Sequence, residues 1–125
     1  MSAKVLLVDD EQDYLDIMAE RMEARGMEIS TTTSAEDALN MIQTESYDAV
    51  IMDFLMPEMS GFKALKLMQE TQPGLAVILL TANVGEEERI EARRLGAMDI
   101  IEKPADLNLL TRKIEKARDL RNKKS

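Results

Sequence analysis

The 125-residue sequence contains no cysteine and no histidine. The first absence excludes disulfides, thiolate nucleophiles and zinc–cysteine sites. The second excludes Ser-His-Asp chemistry, histidine-ligated metals and service as a phosphohistidine carrier. Any metal held by this chain must therefore be a hard cation in oxygen coordination. Tryptophan is absent and aromatics make up only 3%, against ten methionines, so the core is expected to be filled by flexible methionine side chains. A basic excess is also missing. The net charge of -8 argues against non-specific binding to nucleic acid or to an anionic membrane, both of which reward a positive surface. No apolar run approaches the roughly 20 residues of a membrane span. The segment Met1 to Lys4 leads into only four apolar residues, too few for a secretion signal. The expectation is a cytoplasmic protein with no membrane contact and no direct nucleic-acid binding.

What is present is 45% hydrophobic and 32% charged, a globular composition. The length suits one domain, here placed at residues 1–121, with 122–125 as a polar, basic tail of the kind that begins a linker. Strand-like apolar runs alternate with helix-like segments throughout. Val5–Val8, Ala49–Met52, Val77–Leu80 and Ile100-Ile101 have the Val/Ile/Leu content of strands buried on both faces. Met27 to Thr32 reads as a further, edge strand. Between them, Tyr14, Met18 and Met22 share one helical face, and Gly26 follows as a C-terminal cap. Ser34 with Asp37 opens a second helix through Ala35, Ala38, Leu39 and Ile42. Pro57 and Gly61 precede a third carrying Phe62, Leu65 and Met68. A charged helix from about Glu86 to Leu95 offers Glu86–Arg89 and Glu91–Arg94 pairs. Asp106 caps a last helix that turns Leu107, Leu110, Ile114 and Ala117 inward. Five βα units in sequence predict an α/β fold, a doubly wound parallel sheet with helices on both faces.

In such sheets ligands bind outside the carboxyl ends of the strands. The four apolar runs end on polar residues: Asp9-Asp10, Asp53, Thr81, and Glu102 with Lys103-Pro104. Two carboxylates about 4 Å apart repel by roughly 4 kcal/mol at an effective dielectric of 20, a cost that a divalent cation removes. Mg²⁺ (or Mn²⁺) suits one or two carboxylates plus a phosphate. Lys103 supplies a point charge for a phosphoryl oxygen and Thr81 a donor. One carboxylate is then free to act as a nucleophile and form an acyl phosphate. Asp53 stands alone at a central strand end, whereas the adjacent pair Asp9-Asp10 suits a metal.

This pattern resembles the receiver domain of bacterial two-component response regulators. The resemblance runs from about Lys4 to Leu120 and rests on Asp9-Asp10, on Asp53-Phe54-Leu55-Met56-Pro57 with Gly61, on Thr81-Ala82 and on Lys103-Pro104. It implies a flavodoxin-like five-stranded sheet in the order 2-1-3-4-5 flanked by five helices. It implies that Asp53 is the phosphoacceptor, fed by the phosphohistidine of a sensor histidine kinase or phosphotransfer protein. Asp10 and Asp53 would ligate Mg²⁺ directly, Asp9 largely through water, and Leu55 through its backbone carbonyl. Thr81, Ala82 and Lys103 would surround the phosphoryl group, with the Thr81 hydroxyl swinging toward it as a switch. Leu55 and Asn83 would tune hydrolysis of the acyl phosphate.

Output would be altered binding of a downstream protein, with dimerisation through the last two helices as a family habit. The chain would be no enzyme beyond its own phosphotransfer and dephosphorylation. Three positions depart from the family pattern: Ile100 where Tyr or Phe is frequent, Ser60 where Asp is common, and Ala105 where Phe is frequent. An aliphatic Ile100 cannot give the inward-turning aromatic signal. Two other readings fit less well. Aspartyl-phosphate phosphatases need a second Asp two residues after the nucleophile, where this chain has Leu55. A flavin module needs an uncharged phosphate loop where this chain has Asp9-Asp10-Glu11.

Overall fold

A computed structural model describes residues 2–124; Met1 and Ser125 lie outside the described residues. Each apolar run becomes a strand and each amphipathic stretch a helix. In chain order these are β1 (Lys4–Val8), α1 (Gln12–Glu23), β2 (Glu28–Thr32), α2 (Ala35–Thr44), β3 (Ala49–Asp53), α3 (Gly61–Thr71), β4 (Val77–Thr81), α4 (Glu86–Arg94), β5 (Asp99–Glu102) and α5 (Leu107–Lys124). The strands form one parallel sheet in the order β2-β1-β3-β4-β5. The doubly wound fold expected from the alternation is therefore the fold observed.

The two faces of the sheet carry separate cores. Leu6, Val8, Val50, Met52, Val77, Leu79 and Ile100 pack toward α2, α3 and α4. Val5, Leu7, Ile51, Ile78, Leu80 and Ile101 pack toward α1 and α5. Neighbouring residues on one strand thus alternate between cores, as the two-residue period of a strand requires. Both faces are covered, which is why the central strands read as continuous apolar runs. Met18, Met22, Met27, Met52, Met56 and Met68 are buried, so methionine does fill the core. Ile100 is one of these core residues, almost fully buried at 1% exposure.

Local signals set the element ends. The Ser34 hydroxyl accepts from the Asp37 amide at the start of α2, and Ser60 accepts from Lys63 at the start of α3, so Ser60 does the capping expected of an Asp there. Asp106 Oδ1 accepts from the amides of Asn108 and Leu109 and caps α5. Past α1 and α4, Gly26 and Gly96 take positive φ values of 92° and 99°, a conformation that glycine adopts without a Cβ penalty. The basic end of the chain is helical through Lys124, because α5 continues past residue 121. No helix among the described residues is long and apolar enough to cross a membrane.

Candidate functional site

The strand order places β1 beside β3, with Val8 opposite Met52. The next residue on each strand is an aspartate, so Asp9 and Asp53 meet at the carboxyl edge of the sheet. Asp9, Asp10 and Asp53 each present a carboxylate oxygen within 4.8 Å of the others. Asp9 and Asp53 are buried, and Asp10 is exposed.

Lys103 reaches this cluster from the end of β5. Its Nζ donates to Asp9 Oδ2 at 3.1 Å and lies 3.5 Å from Asp53 Oδ2. The Lys103 amide donates to the Thr81 carbonyl at 2.7 Å, which fixes the lysine backbone beside β4. The remaining Asp9 oxygen, Oδ1, accepts from the Glu11 amide at 2.9 Å. Both oxygens of Asp9 are thus engaged by the protein, whereas Asp10 joins the cluster from an exposed position.

Asp53 is held above the usual carboxylate range. Burial is the main cause; Lys103 pulls the other way and Asp9 adds to the rise. For Lys103, burial alone would lower its pKa, but the hydrogen bond to Asp9 and the charge of Asp53 outweigh it and raise it. One ammonium therefore does not balance three acids. The formal charge of the four groups is about −2, the amount a divalent cation cancels. The donor set is carboxylate oxygen, which suits a hard cation such as Mg²⁺ or Mn²⁺.

The loop after β3 completes the surroundings. The Leu55 amide lies 3.5 Å from Asp53 Oδ1, and the Leu55 side chain is 67% exposed. Leu55 pairs with Ser60 across the loop in an isolated bridge. The Gly61 amide donates to the Phe54 carbonyl at 2.8 Å. Glu58 leaves this loop and accepts from the Ala35 amide, tying it to the start of α2.

Thr81 is buried at the end of β4. Its hydroxyl donates to the Asn83 carbonyl at 3.3 Å and accepts from the Asn83 amide at 3.4 Å. It is occupied within its own turn, with exposed Ala82 and Asn83 beside it. The structure thus brings Asp9, Asp10, Asp53 and Lys103 together, sets Leu55 on their rim, and leaves the Thr81 hydroxyl facing its own loop.

Residues 5–115 match the model of the response regulator receiver domain. The chain belongs to that family.

Among relatives, the response regulator SaeR of Staphylococcus epidermidis is 40% identical over 100 residues, which is 80% of this chain and 43% of SaeR. The match thus spans less than half the length of that relative. A receiver domain protein from Clostridium thermocellum has a similar structure, with a TM-score of 0.92, 30% identity and coverage of 98% of this chain and 99% of that one. The structure titled as BeF3-activated DrrB receiver domain gives a TM-score of 0.83 at 28% identity, covering 95% and 99%. This receiver domain is accordingly a component of two-component signalling.

Sequence reasoning passed over Tyr14, which it placed only on a helical face. The Lys103 ammonium lies 4.7 Å from the Tyr14 ring centroid. Burial raises the pKa of the Tyr14 phenol, with Lys103 opposing, so the ring is uncharged. Asp99 was also missed, and with it the true partners of Arg89. Asp99 is buried at the start of β5 and is paired with Lys113 at 2.6 Å, Arg89 at 3.7 Å and Arg93 at 3.9 Å. Arg89 therefore does not form the expected pair with Glu86; its guanidinium instead donates to the Ile100 carbonyl. The Glu91–Arg94 pair does form.

Proposed function

We propose that this receiver domain is a phosphorylation-dependent switch in which Asp53 accepts a phosphoryl group from the phosphohistidine of a sensor kinase or phosphotransfer protein. The observation that carries the reading is the convergence of Asp9, Asp10 and Asp53 within 4.8 Å, faced by Lys103. Asp10, Asp53 and the Leu55 carbonyl would hold Mg²⁺ or Mn²⁺, and Asp9 would act through a water. The bound cation would neutralise the carboxylates and charge on the transferring phosphoryl oxygens.

A carboxylate oxygen of Asp53 attacks phosphorus in line with the leaving nitrogen. An O–P bond forms, the P–N bond breaks, and the departing imidazole takes up a proton. Lys103 moves from its carboxylate partners toward a phosphoryl oxygen. Thr81 breaks its contact with Asn83 and turns its hydroxyl to a second oxygen, with Ala82 moving alongside. Leu55 and Asn83 flank the path of attacking water and set the lifetime of the acyl phosphate.

The output is altered affinity for a downstream protein, and self-association through α4 and α5 is one form of it. The signal does not use an aromatic rotamer, because Ile100 occupies that place as a packed core residue. The phosphatase alternative lacks its acid: the residue two after Asp53 is the exposed, apolar Leu55.

Fluoroberyllate tests this reading, because on a carboxylate it has the tetrahedral shape and charge of an acyl phosphate. Fluorine NMR of the protein with Mg²⁺ and fluoroberyllate is expected to give a bound resonance that disappears in Asp53→Asn and on removal of the metal. A bound signal persisting in Asp53→Asn refutes the assignment of the acceptor.

A further inference from the structure

We propose that Tyr14 is a positioning residue for Lys103, its ring holding the ammonium in place over the carboxylate pair so that it meets the incoming phosphoryl group. The inference rests on the reading of Asp53 as the phosphoacceptor and adds a residue that the site's acidic pattern does not contain.

Lys103 has a long, flexible stem and a compact charge, and it must lie in one place to be of use to a transferring group. Its Nζ is held between two kinds of partner. On one side are Asp9 at 3.1 Å and Asp53 at 3.5 Å. On the other is the face of Tyr14, with its centroid 4.7 Å away. A cation at that distance is attracted by the ring quadrupole, more strongly where water is partly excluded. The Lys103 side chain is only 21% exposed.

The two kinds of partner behave differently during the reaction. Both carboxylates change their surroundings when a cation and a phosphoryl group arrive, and Asp53 loses its charge altogether on becoming an ester. The ring carries no charge and takes no part in those exchanges. It is the contact available to Lys103 before and after transfer, and so it limits how far the ammonium strays while its ionic partners are replaced.

Composition adds a second argument. The chain has two Tyr, two Phe and no Trp, and fills its core with methionine. An aromatic residue is therefore not its usual packing choice. Tyr14 stands in the first turn of α1, half-buried at the border of the α1–α5 core. A Leu or Met there would satisfy that core but offer no face to a cation.

The test compares Tyr14→Phe, which keeps the ring, with Tyr14→Leu, which keeps only the apolar bulk. The first readout needs neither metal nor phosphate. In the metal-free protein, the Lys103 Hε protons should resonate upfield of the other lysines. Tyr14→Phe should keep this ring-current shift and Tyr14→Leu should abolish it. The second readout is the rate of Asp53 phosphorylation by a small acyl phosphate with Mg²⁺, alongside Mg²⁺ affinity measured by titration. Tyr14→Phe should stay within about twofold of the parent, and Tyr14→Leu should be roughly fivefold slower, the scale of a partly desolvated cation–π contact.

Mg²⁺ affinity should change less than about twofold in both, since neither variant touches a carboxylate. In a Lys103→Met background, Tyr14→Leu should add no further slowing. Should Tyr14→Leu lower the urea midpoint, Tyr14→Met takes its place, as the residue this core already uses. An upfield shift lost without any change in rate overturns the positioning role alone, as does equal slowing in the Lys103→Met background. A parent protein that takes no phosphoryl group overturns the underlying reading, and the positioning role falls with it.

Discussion

Asp99 shows what a buried carboxylate does away from the strand-end cluster. Burial by itself would raise its pKa. The Lys113 hydrogen bond, the Ile100 amide at 2.8 Å and the charge of Arg93 together outweigh burial and leave the group below the usual carboxylate range. The sign of its pH effect follows. A carboxyl with a folded-state pKa below its unfolded value contributes stability above the unfolded pKa, and that contribution is lost as the pH falls through the folded one. Asp99→Asn keeps an acceptor for the Ile100 amide and removes the charge. It is expected to cost about 1–2 kcal/mol at neutral pH, because its arginine partners are largely solvated. Urea unfolding should show this gap constant down to about pH 4 and narrowing below it. A gap that widens on acidification contradicts the assignment.

Asp99 was not legible in the sequence for a definite reason. Asp9, Asp53 and Thr81 terminate apolar runs, and that position has a meaning in a parallel sheet. Asp99 begins a run, and its partners come from two different helices. Tyr14 was hidden in the same way, since a residue on the core face of α1 carries no mark that it also meets a lysine from β5.

At the scale of elements, the β3–α3 loop determines how well the site is built. It contains Leu55, whose carbonyl is a proposed metal ligand, and it is closed by Gly61. A Cβ on Gly61 would lie 2.8 Å from the Phe54 carbonyl oxygen and 2.9 Å from the Phe54 Cα. The glycine is needed for this close approach of two backbones. Gly61→Ala should push Phe54 and Leu55 away from α3, costing about 1–3 kcal/mol as overpacking does elsewhere. Mg²⁺ titration should show weaker binding in this variant. Unchanged affinity with reduced stability would separate the loop's packing from the site.

Most elements were legible, because caps and apolar periods are local. Ser34, Ser60 and Asp106 mark helix starts that the structure keeps. The charge pairs of α4 were half legible. Glu91–Arg94 forms on the helix surface, whereas Arg89 is drawn to the Ile100 carbonyl and Asp99. A tertiary acceptor on β5 outcompetes a solvated neighbour, and helical spacing alone carries no information about it.

For the whole molecule, the decisive fact is the order of the strands. Alternating βα units allow several parallel sheets, and only resemblance to a known family implied the arrangement β2-β1-β3-β4-β5 that the structure adopts. With β1 against β3, Asp9 and Asp53 become neighbours although they stand far apart in the chain. With β5 against β4, Lys103 comes within reach of both. The two cores on either side of the sheet hold these strand ends rigidly, so the charged groups bear the cost of convergence and the apolar interior offsets it. A site formed this way is a property of the topology, and Lys103 is the opposite charge that the same topology brings to the acidic residues.

The claim that those carboxylates serve phosphoryl transfer to Asp53 is tested most directly by intact-mass measurement after incubation with Mg²⁺ and a small acyl phosphate donor. A single phosphoryl adduct is predicted, absent when the metal is chelated and absent in Asp53→Asn. An adduct that forms on Asp53→Asn to the same extent, or one that forms equally without metal, contradicts the account.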